Sequence, residues 1–505
     1  MLYVRFLTGA CLLICLAGLR AAYAQPVPDR QAVHILNRLA FGPTLEDFHH
    51  VKAIGVDRYL AEQLAPESIP EPFELGWRLA AFDTLKYNAV QLRQLYGPLP
   101  SIRGFKLPPE LIKAREERAR AIVREAAQAR LLRAVLSQRQ LQEVMVDFWF
   151  NHFNIFAGKE LDDLWIGDYE RRAIRPFVLG RFRDLLFAAT KHPAMLVYLD
   201  NTLSTSPTSP GGRNSKVGLN ENFAREVMEL HTLGADGGYS EEDVVTLARV
   251  LTGWRVNRPD SREFPENAAV FEGARHDFSP KAFLGHQLRS SGKAEGEEAL
   301  DILAKSPATA RHISFKLAQY FVADEPPAAL VEQLAGRFQA TGGDIREALK
   351  VLFTSGEFWE SYGQKYKTPY HFVISATRAA GVPVNNTRPL LTAISQLGMP
   401  LFGCLTPDGY KNTEAAWLSP DATTQRISFA TVLGRGALPL ASLPPDPARG
   451  ASDTPLPLRT SPVDAARLEQ IFGSTLSGPT REAIAEAPQA LRAALILGSP
   501  DFMRR

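Results

Sequence analysis

Residues 109–136 read P-E-L-I-K-A-R-E-E-R-A-R-A-I-V-R-E-A-A-Q-A-R-L-L-R-A-V-L. The run is rich in Ala, Glu and Arg and has no internal Gly or Pro, as a long surface-packed helix requires. Ser137-x-x-Gln140 reads as a capping box that resets the chain into a second helix reaching about Ile155. Two further helix starts stand at Asn220, ahead of E-N-F-A-R-E-V-M-E-L-H, and at Ser240-x-x-Asp243, ahead of V-V-T-L-A-R-V-L. Strand signals are sparse. The best of them, A-A-V-F-E-G-A-R-H-D-F-S-P-K-A-F-L-G at 268–285, predicts a small hairpin. The fold class expected is mainly α, a large multi-helix, bundle-like array with at most one small β-hairpin.

The first residues have a different character. Arg5 precedes an apolar run from Phe6 to Leu19, and Ala22-Tyr23-Ala24 offers a small-x-small cleavage site. This is the pattern of a secretory signal peptide over residues 1–24, cleaved near Ala24, and too short to hold the chain stably in a bilayer. Ile14 before Cys15 and the short stretch before Cys11 argue against lipidation. A periplasmic or secreted location follows as an expectation.

Loss of Arg5 and Arg20 from the 57 basic residues leaves 55 against 55 acids, so the mature chain is formally neutral. No block of like charge offers a footprint for nucleic acid or an anionic membrane. Only Cys404 of the three cysteines then remains, so no internal disulfide is available and the core must carry the fold. With no histidine in its neighbourhood, Cys404 reads as a small buried hydrophobe rather than a nucleophile.

About 480 mature residues exceed the usual span of one core, roughly 250–300 residues. The expected organisation is a helical domain over 25–437, made of two packed units near 25–200 and 201–437. A Pro-rich loop at 438–462 follows, and a helical segment at 463–505 packs back on the body. A second Pro-, Ser- and Gly-rich loop, 202–218, precedes the Asn220 helix and reads either as a lid or as an insertion. V-L-F-T-S-G-E-F-W (351–359) and L-I-L-G-S-P-D-F-M (495–503) echo one another without establishing a repeat.

Polar residues in apolar settings are the candidates for function. On a helix through 220–234, Phe223, Val227 and Leu230 form a buried stripe with Asn222, Glu226 and Glu229 on one flank. His231 falls on the other flank, about 140° from Glu226, so one helix face cannot bring both to one ion. Glu221, Arg225 and Glu229 stand at i, i+4 spacing, the ordinary dress of a solvated face. In L-Q-E-V-M-V-D-F-W-F-N-H-F (141–153) the stripe of Leu141, Val144, Met145 and Phe148 carries His152 at its centre, with Asp147 and Asn151 on a neighbouring face. Such a histidine is a core residue bonded to a carbonyl, a metal ligand or a general base. His192, Asp200 and Asn201, and the adjacent His276-Asp277, stand at element ends. No G-x-S-x-G, P-loop or G-x-G-x-x-G motif occurs.

Read in order, F-W-F-N-H-F (148–153), H-P-A-M-L-V-Y-L-D-N (192–201), N-E-N-F-A-R-E-V-M-E-L-H-T-L-G (220–234) and L-A-R-V-L-T-G-W (247–254) resemble the bacterial domain of unknown function 1800 family. H-I-L-N-R-L-A-F-G-P-T (34–44), H-D-F-S-P-K-A-F-L-G (276–285), P-A-T-A-R-H-I-S-F-K-L (307–317), P-D-G-Y-K-N-T-E-A-A-W-L (407–418) and the closing S-P-D-F-M-R-R extend the likeness over nearly the whole mature chain. The resemblance implies a large, mostly helical exported protein. It also implies a sulfatase-like partner of the domain of unknown function 1501 family. One departure stands out: the family pattern begins the P-A-T-A-R helix with His-Pro, and this chain has Ser306-Pro307, with His312 six residues on.

Two functions are compatible with these residues. In the first, the protein is a metal-dependent enzyme, a hydrolase or an oxidoreductase. His152, His231, His276 and Asp277 would bind zinc, iron or copper, with Glu226 and Asp200 as catalytic acids and Asn151, Asn201, Asn220, Asn222 and Glu229 as binding groups. In the second, it is a binding or assembly protein whose polar motifs form a buried network that fixes helix register beside the sulfatase-like partner.

Overall fold

In the computed structural model the 109–136 run is one helix, Pro109–Leu136, about 42 Å long at 1.5 Å per residue. The structure describes residues 27–97, 108–213, 218–257, 268–289, 291–441 and 461–505. The expected signal peptide and most of the 438–462 loop lie outside these residues. The chain is mainly α, 62% helical, with 23 α-helices and two small antiparallel two-stranded sheets among the described residues.

The first turns of Pro109–Leu136 are exposed, and its second half is sunk in the core through Ile122, Ala126, Leu131, Leu132 and Val135. That half packs against Asp162–Tyr169, Gln140–His152, Pro369–Ala380 and Arg388–Gln396, so elements far apart in sequence share one spine. Buried apolar residues from Val27 to Met503 belong to one cluster among the described residues. Ala465–Phe472 and Gln489–Leu497 lie back on Leu45–Ile54 and Pro420–Gly434. Trp149 and Trp165 are fully buried, with their indole N–H groups satisfied by the carbonyls of Val178 at 3.1 Å and Ala89 at 2.9 Å. Large rings are therefore buried without an orphaned donor.

The caps at Asn220 and at Ser240–Asp243 form as the sequence predicts. The one at 137–140 does not. Ser137 bonds Glu71 and accepts from the Arg139 N–H, while Gln140 turns inward to accept from the Phe41 N–H and to donate to the Ala134 and Ser137 carbonyls. A glutamine with nearer buried partners does not reach back to its own cap. The helix that follows, Gln140–His152, stops three residues short of Ile155.

The predicted 268–285 hairpin is replaced by two ribbons. Ala269–Phe271 pairs outward with Trp254–Val256, setting Trp254 opposite Phe271, and Ala282–Phe283 pairs with His286–Gln287. The aromatic cross-strand pair draws the first strand away from its sequence neighbour. The two echoing stretches share a local geometry: Ser355 and Ser499 each accept from the N–H three residues on, Phe358 and Phe502. Among the described residues no helix is long and apolar enough to cross a membrane.

Candidate functional site

A cleft of about 330 Å³ opens between Gln140–His152, Pro307–Phe321 and the loop around 408–413. Helix Pro307–Phe321 begins on Ser306, whose hydroxyl accepts from the Ala308 N–H with Pro307 at the first position. His192 does the same for Ala194 through Nδ1, ahead of Pro193. Serine thus fills the role a histidine fills in the parallel His-Pro-Ala turn, which accounts for the departure at 306. From this start, His312, Lys316 and Tyr320 recur every fourth residue and line one wall of the cleft, while Ile313, Leu317 and Phe321 are buried.

Asp147, Phe148, Asn151 and His152 line the facing wall. Asn151 holds the loop: its amide donates to the Tyr410 carbonyl at 2.9 Å and accepts from the Tyr410 N–H at 2.8 Å.

The quoted 220–234 helix ends earlier than its pattern predicts, at Glu229. The N–H groups of His231 and Leu233 bond the carbonyls five residues back, Glu226 and Met228, and Gly234 closes the turn at φ +85°. This wide turn carries His231 off the flank expected for it and into the core, 1% exposed. The carbonyls left over at the helix end are met by imidazoles. His152 Nε2 lies 3.1 Å from the His231 oxygen and His312 Nε2 3.3 Å from the Leu230 oxygen. A carbonyl only accepts, so both Nε2 atoms carry hydrogen and the Nδ1 atoms carry lone pairs. His152 Nδ1 has no protein partner and is not sealed from the cleft, whereas His231 Nε2 is buried without one.

Burial holds all three imidazoles neutral. It lowers His231 to about 3 and, with the field of Lys316, lowers His312 to about 4; burial, then Lys316, carries His152 well below its usual value. Lys316 has no carboxylate within 4 Å among the described residues. Burial, then Lys411, pushes its amine below the usual lysine range, against the weaker pull of Asp408. Asp408 is itself paired with Lys411 at 2.5 Å.

Behind the cleft runs a buried chain. Arg130 donates to Asp147 at 2.7 Å, and the Tyr320 hydroxyl lies 3.2 Å from Asp147 Oδ2 and 2.8 Å from His371 Nε2. With one phenolic proton, Tyr320 donates to the carboxylate and accepts from a His371 protonated at Nε2. Burial raises the Asp147 carboxyl and lowers His371 well below its usual value.

Of the predicted site residues, His152 and His231 come together, their ring centres 6.1 Å apart, and Asn151 joins His152 in lining the cleft. The others serve elsewhere. Asp200 pairs with Lys159 at 2.9 Å. Glu226 is half-buried, its carboxyl raised by burial and by Glu229 and Asp408. Asn201 donates to the Leu251 carbonyl, Asn220 caps its helix, Asn222 is exposed and Glu229 accepts from Tyr239. Arg225 grips Glu241 with two bonds of 2.9 and 2.7 Å instead of the i, i+4 acids.

His276 and Asp277 belong to a separate buried knot. His276 Nδ1 donates to the Thr252 carbonyl at 2.9 Å, its Nε2 lies 3.1 Å from Glu295, and Asp277 takes Arg249 at 2.9 Å. Burial works to raise the Asp277 carboxyl, but the bonds from Arg249 and Ser279 outweigh it and hold the group below the usual carboxylate range. Residues 202–213 lean on this knot, with the Ser206 N–H on the Arg275 carbonyl and the Gly211 N–H on that of Ala274, so the described part of the loop is no lid over the cleft.

Among the described residues no group of three or more His, Cys, Asp or Glu is placed to hold a metal ion. The donor set does not fit the expected shell. His276 lies in a separate knot between Thr252 and Glu295, and Asp200 and Asp277 are paired with Lys159 and Arg249, so these groups do not join His152 and His231 in one shell. Sequence reasoning missed Lys316 and Tyr320. The signal that could have found them is the four-residue recurrence of His312, Lys316 and Tyr320 on one helix.

No curated protein and no solved structure matches this chain. A family model described as "Protein of unknown function (DUF1800)" matches residues 34–504, nearly the whole length, and the chain belongs to that family.

Proposed function

We propose that the protein is an exported enzyme that performs proton-transfer chemistry on a small polar compound in the 147–152/312–320 cleft. The observation that carries this reading is Lys316: an amine on the wall of the cleft, with no carboxylate partner among the described residues. A half-buried amine without a carboxylate partner costs stability, and its lowered proton affinity makes it readier than a solvated lysine to give up its proton. His152 Nδ1 supplies a fixed acceptor beside it, able to orient a hydroxyl or amine of the substrate. Residues 1–24 support export.

The test is a screen of small alcohols, amines, carboxylates, esters and aldehydes, with binding read from shifts of ¹⁵N-labelled histidine and turnover read by proton NMR. The expected result is a compound that perturbs His152 and His312 and is converted by wild type but not by Lys316→Met. Binding confined to other parts of the molecule, or turnover indifferent to Lys316→Met, would end the reading.

The capping of two carbonyls by His152 and His312 favours a second reading, a non-catalytic part whose imidazoles fix helix register. Under it, no compound in the screen engages the cleft, and His152→Gln alters stability alone.

A further inference from the structure

The polar groups around Lys316 say what kind of compound it meets. An anion held by Lys316 would need N–H donors around it. The donors of the two imidazoles nearest it are turned away, the N–H of His152 and that of His312 being spent on the His231 and Leu230 carbonyls, and one N–H of the Asn151 amide is spent on Tyr410. His152 offers a lone pair instead. Lys411, the other cation on the wall, is already paired with Asp408, and Asp147 is paired with Arg130. Phe148 and Phe315 give apolar sides. A neutral molecule that presents an electrophilic carbon to the amine and hydrogen-bond donors to His152 fits these walls better than a charged one.

We propose that Lys316 is the nucleophile of this cleft and forms an imine with the aldehyde or ketone group of a small polar compound. The inference rests on the reading of the cleft as a small-molecule site and names its substrate class. The Nζ lone pair forms a bond to the carbonyl carbon as the C=O π pair moves to oxygen, and an amine proton transfers to that oxygen, giving a carbinolamine. The second amine proton leaves to His152 Nδ1 as the nitrogen lone pair forms the C=N bond. The hydroxyl departs with that proton as water, so imine and water are the only products and His152 ends neutral. Burial favours the unprotonated amine that this attack needs.

The experiment incubates the full chain with limiting glycolaldehyde and sodium cyanoborohydride at pH 7 and follows each lysine by peptide mass spectrometry. Lys316 is expected to gain the reduced adduct several-fold faster than the exposed Lys113 and Lys305, because its lowered proton affinity leaves more of it as free amine. The adduct is expected to vanish in Lys316→Arg while the two exposed lysines label as before. Labelling of Lys316 at the rate of Lys113, or none, overturns the inference. If the screen still finds non-carbonyl compounds bound at His152, the cleft reading survives that failure; if nothing binds there, both fall.

Discussion

The His152 ring and the backbone oxygen of His231 meet at 3.1 Å, tying the last turn of Gln140–His152 to the chain just past Glu221–Glu229. Replacing this histidine removes a buried donor and leaves a buried carbonyl unpaired. His152→Ala is expected to lower unfolding stability by roughly 1–3 kcal/mol. Urea denaturation with an unchanged m-value checks it, and a loss below about 0.5 kcal/mol, the range of an ordinary surface change, would contradict the capping role.

The neutral histidines make the fold sensitive to acid. His34 and His231 stand near 3 and His312 near 4, and burial also depresses His152 and His371. In the unfolded chain each takes up its proton near pH 6.5. Below that pH the unfolded state binds more protons than the folded one, so stability is complete above about 6.5 and falls as pH drops toward 4. Each such histidine steepens the loss by about 1.4 kcal/mol per pH unit. Urea midpoints at pH 7, 5.5 and 4.5 are expected to fall in that order; a midpoint flat over this window would contradict the buried, neutral assignment.

The long helix at 109–136 and the caps at Asn220 and Ser240 are legible in the sequence because propensity and capping act within a few residues. His152 is legible as an out-of-place imidazole on an apolar stripe. What it touches is not, since the His231 carbonyl reaches it only after a wide turn that no 3.6-residue period foretells. The 268–285 hairpin departs from its sequence reading for a similar reason: its first strand, Ala269–Phe271, finds its partner at Trp254–Val256, outside the quoted stretch. Lys316 carried a helical spacing that was there to be read, but an unpaired lysine differs from a solvated one only by its surroundings.

Gly409 lies against Asn151. A Cβ at 409 would come 2.2 Å from the Asn151 backbone oxygen and 2.7 Å from its Oδ1, at a φ of +72° that side chains resist. Gly409→Ala is therefore expected to push the loop off the helix, at a cost of about 1–3 kcal/mol. Asn151→Ala, which removes both bonds to Tyr410, is expected to act in the same way. Hydrogen exchange should quicken across 406–413 and stay unchanged in Gln140–His152; equal rates in the loop would contradict its attachment through Asn151.

Tyr320 is the link between Asp147 and His371. Tyr320→Phe is expected to destabilise the fold by about 1–3 kcal/mol, because two buried groups lose the hydroxyl they share. In a double-mutant cycle with His371→Ala the two changes should fail to add by about 0.5–3 kcal/mol, and additivity would show that no such chain exists.

The account depends most on Lys316 being an amine without a counter-charge. It is tested by the proton–carbon spectrum of protein carrying ¹³Cε-lysine, with the Lys316 signal assigned by its loss in Lys316→Arg. The predicted result is a titration midpoint below the ordinary 10.5 of lysine, together with a shift of that signal when a small polar compound enters the cleft. A midpoint at or above 10.5 would reveal a carboxylate holding the ammonium in place and would contradict the account.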